Sequence, residues 1–261
     1  MTLDHWPADG LINELRYLDK LPDRRFVFVL GAGASSSSGI PTGDQMARSW
    51  LERLQKHTAS KEPLDKWATE ANLSIPGFEF SRYAEFYPQI FQKAFGDDHE
   101  AGYDTLEKVM AGKRPSVGYT LLAQVMATTR HNIVITTNFD NLMADALSSL
   151  GGPAPLICGH ESLATYARVR AQRPLILKVH RDLLLDPIND VSGTTTLHPG
   201  FAEALKRVLH QATLVVLGYG GNDGSLMGFL EDLPTGSIPG RIFWCGRGTK
   251  PSTNQQVIRV L

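Results

Sequence analysis

This chain has very few cysteines and almost no net charge. Of its 261 residues only Cys158 and Cys245 are cysteines, which is too few for a zinc ribbon or a disulfide framework. Acidic and basic side chains nearly cancel, 27 against 26, so nothing indicates the broad basic surface that binds nucleic acids. These shortages lead us to expect a protein of a reducing, cytoplasmic setting that needs no metal and contacts no nucleic acid directly.

Long apolar segments are lacking as well. No run approaches the roughly 20 apolar residues needed to cross a bilayer, and residues 1–6 have neither the basic nor the apolar region of a signal peptide. We therefore expect no membrane span and no membrane partner. What is present is an ordinary globular composition, 42% hydrophobic and 20% charged, long enough for one large domain or a domain with a smaller lobe.

Five short apolar runs predict buried parallel strands, because they are rich in β-branched residues and are bounded by turn or helix signals. The runs are Phe26–Leu30, Ile133–Thr137, Leu175–Val179, Leu214–Leu217 and Ile242–Cys245. Helical patterns separate most of them. Thr42 and Gln45 have the spacing of a capping box, and Asp223 is the predicted N-cap of another helix. This alternation predicts an α/β fold with a doubly wound, mainly parallel, Rossmann-like sheet.

Residues 58–114 interrupt the alternation and show no strand pattern. We expect one domain, in which a small helical lobe of residues 58–114 is inserted into a Rossmann-like core of residues 1–57 and 115–261. Aromatic residues are dense between Phe78 and Tyr103. Two interpretations of these rings stay open: they form the core of the lobe, or one or two of them line a cofactor cleft.

The most informative segment is Gly31-Ala32-Gly33, which follows the first predicted strand at once and precedes a helix predicted to start at Thr42. Glycine has no Cβ, so the backbone of such a turn can approach a pyrophosphate, with free N–H groups facing the phosphates. The usual dinucleotide fingerprint has a third glycine where this chain has Ser36. The segment is therefore not the fingerprint of a dehydrogenase.

Polar segments follow four of the predicted strands, at the edge where doubly wound sheets bind their ligands. They are the turn at Gly31, residues 136–140, residues 178–182 and residues 218–223. Each has a structural explanation when taken alone. Asn138 or Asp140 could cap a helix, His180 could be a structural hydrogen-bonding group, and the glycines after residue 217 could form a plain turn. Taken together, the four segments predict one crevice.

These segments resemble, in order and spacing, the motifs of sirtuin-type NAD-consuming domains. The motifs are Gly-Ala-Gly-Ala-Ser followed by Ser-Gly-Ile-Pro-Thr, then Thr-Thr-Asn-Phe-Asp-Asn-Leu, Lys-Val-His-x-Asp and Leu-Gly-Tyr-Gly-x-x-Asp, and they extend over about residues 24–230. The chain is more similar to the bacterial sirtuin-like NAD hydrolases of antiphage defence than to the lysine deacylases.

The resemblance implies that NAD⁺ is the substrate and that Asn138 and His180 are the catalytic pair. Asp140 would accept a hydrogen bond from the nicotinamide carboxamide. The other implied cofactor contacts are Gly31, Ala32, Gly33 and Ser35 at the phosphates, Thr42, and Gly218 and Asn222 on the adenosine side. A branched side chain at Gly33 is accordingly predicted to weaken NAD⁺ binding with only a modest effect on the fold.

The chemistry of NAD⁺ cleavage suits these residue types. The nicotinamide–ribose bond breaks through an oxocarbenium-like state, so the protein must hold the ribose, stabilise positive charge and deliver a nucleophile. Histidine, with an ordinary pKa near ~6.5, can act as a general base. The Asn138 amide can orient water or the ribose, since it carries both donors and an acceptor.

Three departures from the deacylating sirtuins are present. Their four zinc-binding cysteines have no counterpart here, and Gly43-Asp44 stands where they have Phe-Arg. Arg181 replaces the glycine that usually follows the histidine. Arg181 could bond a phosphate, pair with Asp182 or narrow the pocket.

The function that these features favour is an NAD⁺ glycohydrolase that yields nicotinamide and ADP-ribose and depletes NAD in antiphage defence. A zinc-free NAD-dependent deacylase and a non-catalytic module that senses NAD or ADP-ribose remain alternatives. Because unrestrained NAD depletion would harm the cell, we expect control by a homo-oligomer, or by a fused or separate sensor. The aromatic segment Phe78–Phe95 is the predicted surface of self-association, unless its rings are internal.

Overall fold

A computed structural model describes residues 4–96, 98–168, 172–185, 187–189, 191–210, 212–246 and 254–261. Strands β1 to β6 are Arg25–Leu30, Ile133–Thr136, Leu156–Cys158, Leu175–Lys178, Ala212–Leu217 and Ile242–Cys245. Helices α1 to α13 are Ala8–Asp19, Ala32–Ser35, Gly43–His57, Leu64–Trp67, Glu70–Leu73, Tyr87–Phe95, His99–Met110, Val117–Thr128, Leu142–Ser149, Val191–Thr195, Pro199–Leu209, Gly224–Glu231 and Gln255–Val260. Short 3-10 segments cover residues 36–38, 80–86, 161–166 and 183–185.

The six strands form one parallel sheet in the order β3-β4-β2-β1-β5-β6. Strand β1 lies where the order reverses, between β2 and β5, and this is the position at which doubly wound sheets leave a ligand crevice. The predicted α/β fold is confirmed. Strand β3 was not predicted, because its apolar run Leu156-Ile157-Cys158 is only three residues long.

Alternate residues of each strand enter opposite layers, as the period of two in a strand requires. Val27 and Val29 of β1 face the layer that holds α11, α12 and α13, whereas Phe26, Phe28 and Leu30 face the layer that holds α1, α8 and α9. Both faces of the sheet are thereby covered. Burial of each such side chain contributes roughly 1.5–3 kcal/mol, so the strands serve as the rigid base of the loops at their ends.

Two predicted helix caps are confirmed. Thr42 and Gln45 form a reciprocal capping box at the start of α3, and the Asp223 side chain accepts from the backbone of Leu226 at the start of α12. Helix α1 was not predicted, although Leu11, Leu15 and Leu18 have helical spacing. No helix of the described residues is long and apolar enough to cross a membrane.

The described residues between 58 and 114 form helices and turns without a strand. Their aromatic rings pack on one another and on α3, where Trp50 contacts Tyr87, Phe91 and Phe95 with ring centroids 5.1–5.7 Å apart. This packing favours the internal-core interpretation for most of the rings, and weakens the segment as a surface for self-association. The division into a core and an inserted lobe stays a prediction.

Candidate active site

An open cleft of about 2270 Å³ lies at the carboxyl ends of the strands. Its wall contains all but one of the site residues predicted from the sequence, namely Ala32, Gly33, Ser35, Thr42, Asn138, Asp140, His180, Gly218 and Asn222. The exception is Gly31, which contributes to the site through its backbone. Tyr87 also reaches the wall, so one ring of the aromatic segment between Phe78 and Tyr103 does line the cleft. The four polar segments therefore share one crevice.

The glycines after β1 allow two strand-end loops to touch. A Cβ on Gly31 would lie 2.5 Å from the Cα of Tyr219, and one on Gly33 would lie 2.8 Å from the carbonyl oxygen of Gly218. The N–H groups of Gly31 and Gly33 donate to the carbonyls of Leu217 and Gly218, at 3.1 and 2.8 Å. A short helix, α2, begins at Ala32 ahead of the helix capped by Thr42, and the N–H groups of Gly31 and Gly33 are not free. The expectation that a side chain at Gly33 would disturb mainly the phosphates is wrong, because it would first meet the Gly218 backbone.

The Asn138 side chain is fixed by two hydrogen bonds. Its amide nitrogen donates to the Gly31 carbonyl at 3.0 Å and to the Ser35 hydroxyl at 3.0 Å. A backbone carbonyl can only accept, so the atom facing Gly31 must be the nitrogen, and the orientation of the amide is determined. Both amide hydrogens are used, and the carbonyl oxygen of Asn138 remains available as an acceptor.

Ser35 links this amide to a buried acid. Its hydroxyl donates to Asp140 at 2.7 Å and lies 2.8 Å from the Tyr119 hydroxyl. With one hydrogen given to Asp140, the Ser35 oxygen accepts from Asn138 and Tyr119 and is saturated. The hydroxyl therefore has no capacity left to bond a phosphate, and the phosphate contact predicted for Ser35 stays a prediction. Burial raises the pKa of Asp140, and the bonds from Ser35 and the Leu142 N–H oppose that rise.

His180 is buried beside the start of α12. Its Nε2 lies 2.7 Å from the Ser225 hydroxyl, which donates to Asp223 at 2.9 Å. Burial lowers the pKa of His180, and the charge of Asp223 partly opposes this, so the neutral imidazole is favoured near neutral pH. The sequence identified His180 and the cap at Asp223 but not Ser225, because nothing in the spacing shows that the two segments touch.

Residues 132–255 match the family described as a SIR2-like domain. The match supports a sirtuin-like domain in this part of the chain. The match includes the loops after β2, β4 and β5, and hence Asn138, His180 and Gly218. Members of this family often have NAD-dependent activity, and the match implies that the domain binds NAD. A comparison with curated proteins gives no match.

Arg181 of the sirtuin-like domain pairs with an acid from another segment of the chain. Its guanidinium forms a two-point ion pair with Glu161, at 2.9 and 2.7 Å, and it does not line the cleft wall. None of the three alternatives for Arg181 describes this pairing. Its φ of 66° lies in the left-handed region, which explains why glycine suits this position in related domains. The ion pair lowers the pKa of Glu161 to about 2.

A buried lysine joins the Asn138 loop to the His180 loop. Lys178 is 2% exposed, and its ammonium donates to the Phe139 carbonyl at 2.8 Å, to Asn141 at 2.7 Å and to Asp182 at 2.6 Å. All three of its donors are thus used. This contact accounts for the lysine and the aspartate of the Lys-Val-His-x-Asp motif, and it keeps two walls of the sirtuin-like site in register.

The adenosine side of the predicted site lies on the loop after β5. Gly218 has a φ of 63°, and a Cβ there would meet the Ala34 nitrogen at 2.2 Å, so only glycine fits. Asn222 is exposed at the rim of the cleft, where it accepts from Asn254 at 2.9 Å. Thr42 lies on the wall as the cap of α3.

Two residues of the cleft wall carry buried polar atoms. Gln89 Oε1 and Asn189 Nδ2 make no hydrogen bond with the residues that the structure describes. Buried polar atoms without a protein partner are normally satisfied by ordered water or by a ligand. No motif singled out these two residues. Among the described residues, no group of three or more His, Cys, Asp or Glu side chains could hold a metal ion.

Proposed function

We propose that this protein is an NAD⁺ glycohydrolase, which cleaves NAD⁺ to nicotinamide and ADP-ribose. One observation carries the proposal. On the wall of a single cleft in a sirtuin-like domain, the fixed Asn138 amide keeps one free acceptor and the buried His180 is held as a neutral base. These are the two groups that hydrolysis of an activated N-glycosidic bond needs, one to orient and one to take a proton.

The balance of the reaction assigns a role to each group. The bond between ribose C1′ and the nicotinamide nitrogen breaks, and its electron pair leaves with the neutral nicotinamide. A water oxygen forms the new bond to C1′, and His180 takes the proton that this water loses. The Asn138 carbonyl oxygen accepts from the water or from a ribose hydroxyl. Asp140, held by Ser35, accepts from the carboxamide of nicotinamide.

The rest of NAD⁺ follows the loops around the cleft. The pyrophosphate lies against Ala32 and Gly33, and the adenosine lies toward Gly218 and Asn222. The Ser35 hydroxyl acts in this arrangement by orienting Asn138 and Asp140. In the cell the enzyme would deplete NAD in antiphage defence, under the control of self-association or of a sensor.

The proposal is tested by incubating the purified chain with NAD⁺ over a range of protein concentrations and identifying the products by chromatography. We expect equal amounts of nicotinamide and ADP-ribose, without a requirement for metal, so an excess of chelator should change nothing. If self-association controls the enzyme, specific activity rises with concentration. A monomer with full activity at every concentration would contradict that control.

Variants of the cleft identify the catalytic groups. His180→Ala and Asn138→Ala should each lose about 100-fold or more in rate, the effect of removing a positioned acid–base group. His57→Ala, at an exposed position at the end of α3, is the matched control and should retain activity. A folded His180→Ala variant with near-normal turnover would refute the assignment.

Two added measurements separate the alternatives. An acyl-lysine peptide supplied with NAD⁺ would be deacylated by a zinc-free deacylase, whereas a glycohydrolase releases nicotinamide without peptide. Calorimetry that detects NAD⁺ binding without product formation at any concentration would indicate a sensing module.

A further inference from the structure

A serine lies between His180 and an acidic residue. The His180 Nε2 atom is 3.8 Å from the Asp223 carboxylate, too far for a hydrogen bond, and the Ser225 hydroxyl lies between them. Ser225 is 1% exposed and His180 is 6% exposed. The three side chains therefore form one continuous chain of direct hydrogen bonds.

The donors and acceptors of these three side chains determine the direction of each hydrogen bond. The Asp223 carboxylate can only accept, and it receives the Ser225 hydroxyl at 2.9 Å, the Leu226 N–H at 2.8 Å and the Tyr219 hydroxyl. Since the single hydrogen of Ser225 goes to Asp223, the Ser225 oxygen must accept from His180. The hydrogen of the neutral imidazole is therefore on Nε2, and its lone pair is on Nδ1.

We propose that Ser225 and Asp223 are positioning residues, which hold His180 as its Nε2–H tautomer and so make Nδ1 the atom that takes the proton during cleavage of NAD⁺. This inference rests on the proposed function for the role of Nδ1, but the tautomer itself does not. When Nδ1 gains its proton, the positive charge of the imidazolium is balanced through Ser225 by the Asp223 carboxylate.

The Asp223 carboxylate is kept in place because it also has a structural role. Asp223 is the N-cap of α12, so its orientation is set by the first turn of the helix. Ser225 lies in that same turn. Substitution of Asp223 by asparagine separates its role as a helix cap from its role beside His180, because asparagine is as good an N-cap as aspartate but carries no charge. If Asp223 were only a cap, Asp223→Asn would leave His180 unaffected.

The first test reads the tautomer directly and needs no activity. Nuclear magnetic resonance of the full chain labelled with ¹⁵N-histidine distinguishes a protonated from an unprotonated ring nitrogen, and the His180→Ala variant assigns the signals of His180. We expect Nε2 protonated and Nδ1 unprotonated in the wild type, and a mixture of tautomers in Ser225→Ala. A wild-type His180 protonated on Nδ1, or a tautomer unchanged by Ser225→Ala, would overturn the proposal.

The second test uses nicotinamide release. Ser225→Ala and Asp223→Asn should lower kcat by about 10-fold or more, but by less than His180→Ala, with KM changed by less than about threefold. Ser237→Ala, whose hydroxyl bonds the exposed Pro234 carbonyl, is the matched control and should behave as wild type. A loss confined to KM would mean that these residues bind substrate, and would overturn the positioning role.

The two readouts distinguish a failure of this inference from a failure of the proposed function. If the wild type releases no nicotinamide under any condition, the glycohydrolase assignment fails, and the tautomer measurement still decides how His180 is held. If the wild type is active and Ser225→Ala is folded and equally active, the glycohydrolase stands and the positioning role is wrong. Thermal melting shows which variants are folded.

Discussion

Gly33 and Gly218 meet where β1 and β5 end, and a Cβ on Gly33 would lie 2.8 Å from the carbonyl oxygen of Gly218. The same oxygen accepts from the Gly33 N–H at 2.8 Å. The close approach between these two loops thus explains the glycine at position 33. It also holds the loop of Gly31, which accepts from Asn138, against the loop that follows β5.

Gly33→Ala should destabilise the fold as well as weaken NAD⁺ binding. The added methyl group must displace backbone, which costs about 1–3 kcal/mol, and thermal denaturation of a domain of this size should show a lower Tm by several degrees. Gly228→Ala is the control, because a Cβ at that helical glycine meets nothing within 4 Å. It should stabilise by up to about 1 kcal/mol. Equal melting of Gly33→Ala and wild type would refute the packing argument.

Arg181 combines a left-handed backbone conformation with an ion pair to Glu161. Replacement by glycine or by alanine removes the contacts of the arginine side chain, but only glycine also relieves the backbone strain. Arg181→Gly should therefore be more stable than Arg181→Ala by about 1 kcal/mol, measured by chemical denaturation. The reverse order would show that the strain at φ 66° is unimportant.

The local parts of this molecule could be predicted, and the contacts between distant segments could not. The capping box of Thr42 and Gln45 lies within one helical turn, and the strands carry their own β-branched pattern. The motif at residues 31–33 indicated that some group approaches the backbone closely there, but it did not indicate that this group is the Gly218 backbone. Likewise Asp182 is next to Arg181 in sequence, but Arg181 forms an ion pair with the distant Glu161.

The candidate site shows the same limit. Its position followed from the rule that parallel strands end at one edge, so Asn138, Asp140 and His180 were expected together. Which hydrogens they use depends on Ser35, which lies about a hundred residues before Asn138, and on Ser225, which follows His180 by 45. No local pattern encodes such contacts.

Lys178→Met should be among the most destabilising changes in the domain. It removes a buried cation that satisfies Asp182, Asn141 and the Phe139 carbonyl, and leaves a buried carboxylate without its partner, at a cost of about 3–5 kcal/mol. Lys206→Met is the matched control, since the pair of Lys206 with Glu203 is exposed and contributes about 0–1 kcal/mol. Urea denaturation measures both variants. A small loss for Lys178→Met would mean that the two loops do not need this contact.

The dependence of nicotinamide release on pH should follow His180, which is the base only when it is neutral. Burial lowers the pKa of His180 below its ordinary value, so the neutral form persists at neutral pH and is lost only as the pH falls through that lowered pKa. Activity should therefore hold from mildly alkaline through neutral pH and decline on the acid side. The Asp223 charge opposes the lowering, so Asp223→Asn should move the acid limb of the kcat profile to still lower pH while reducing its plateau. A limb that moves to higher pH in Asp223→Asn, or an activity that declines as the pH rises through neutrality, would contradict His180 as the base.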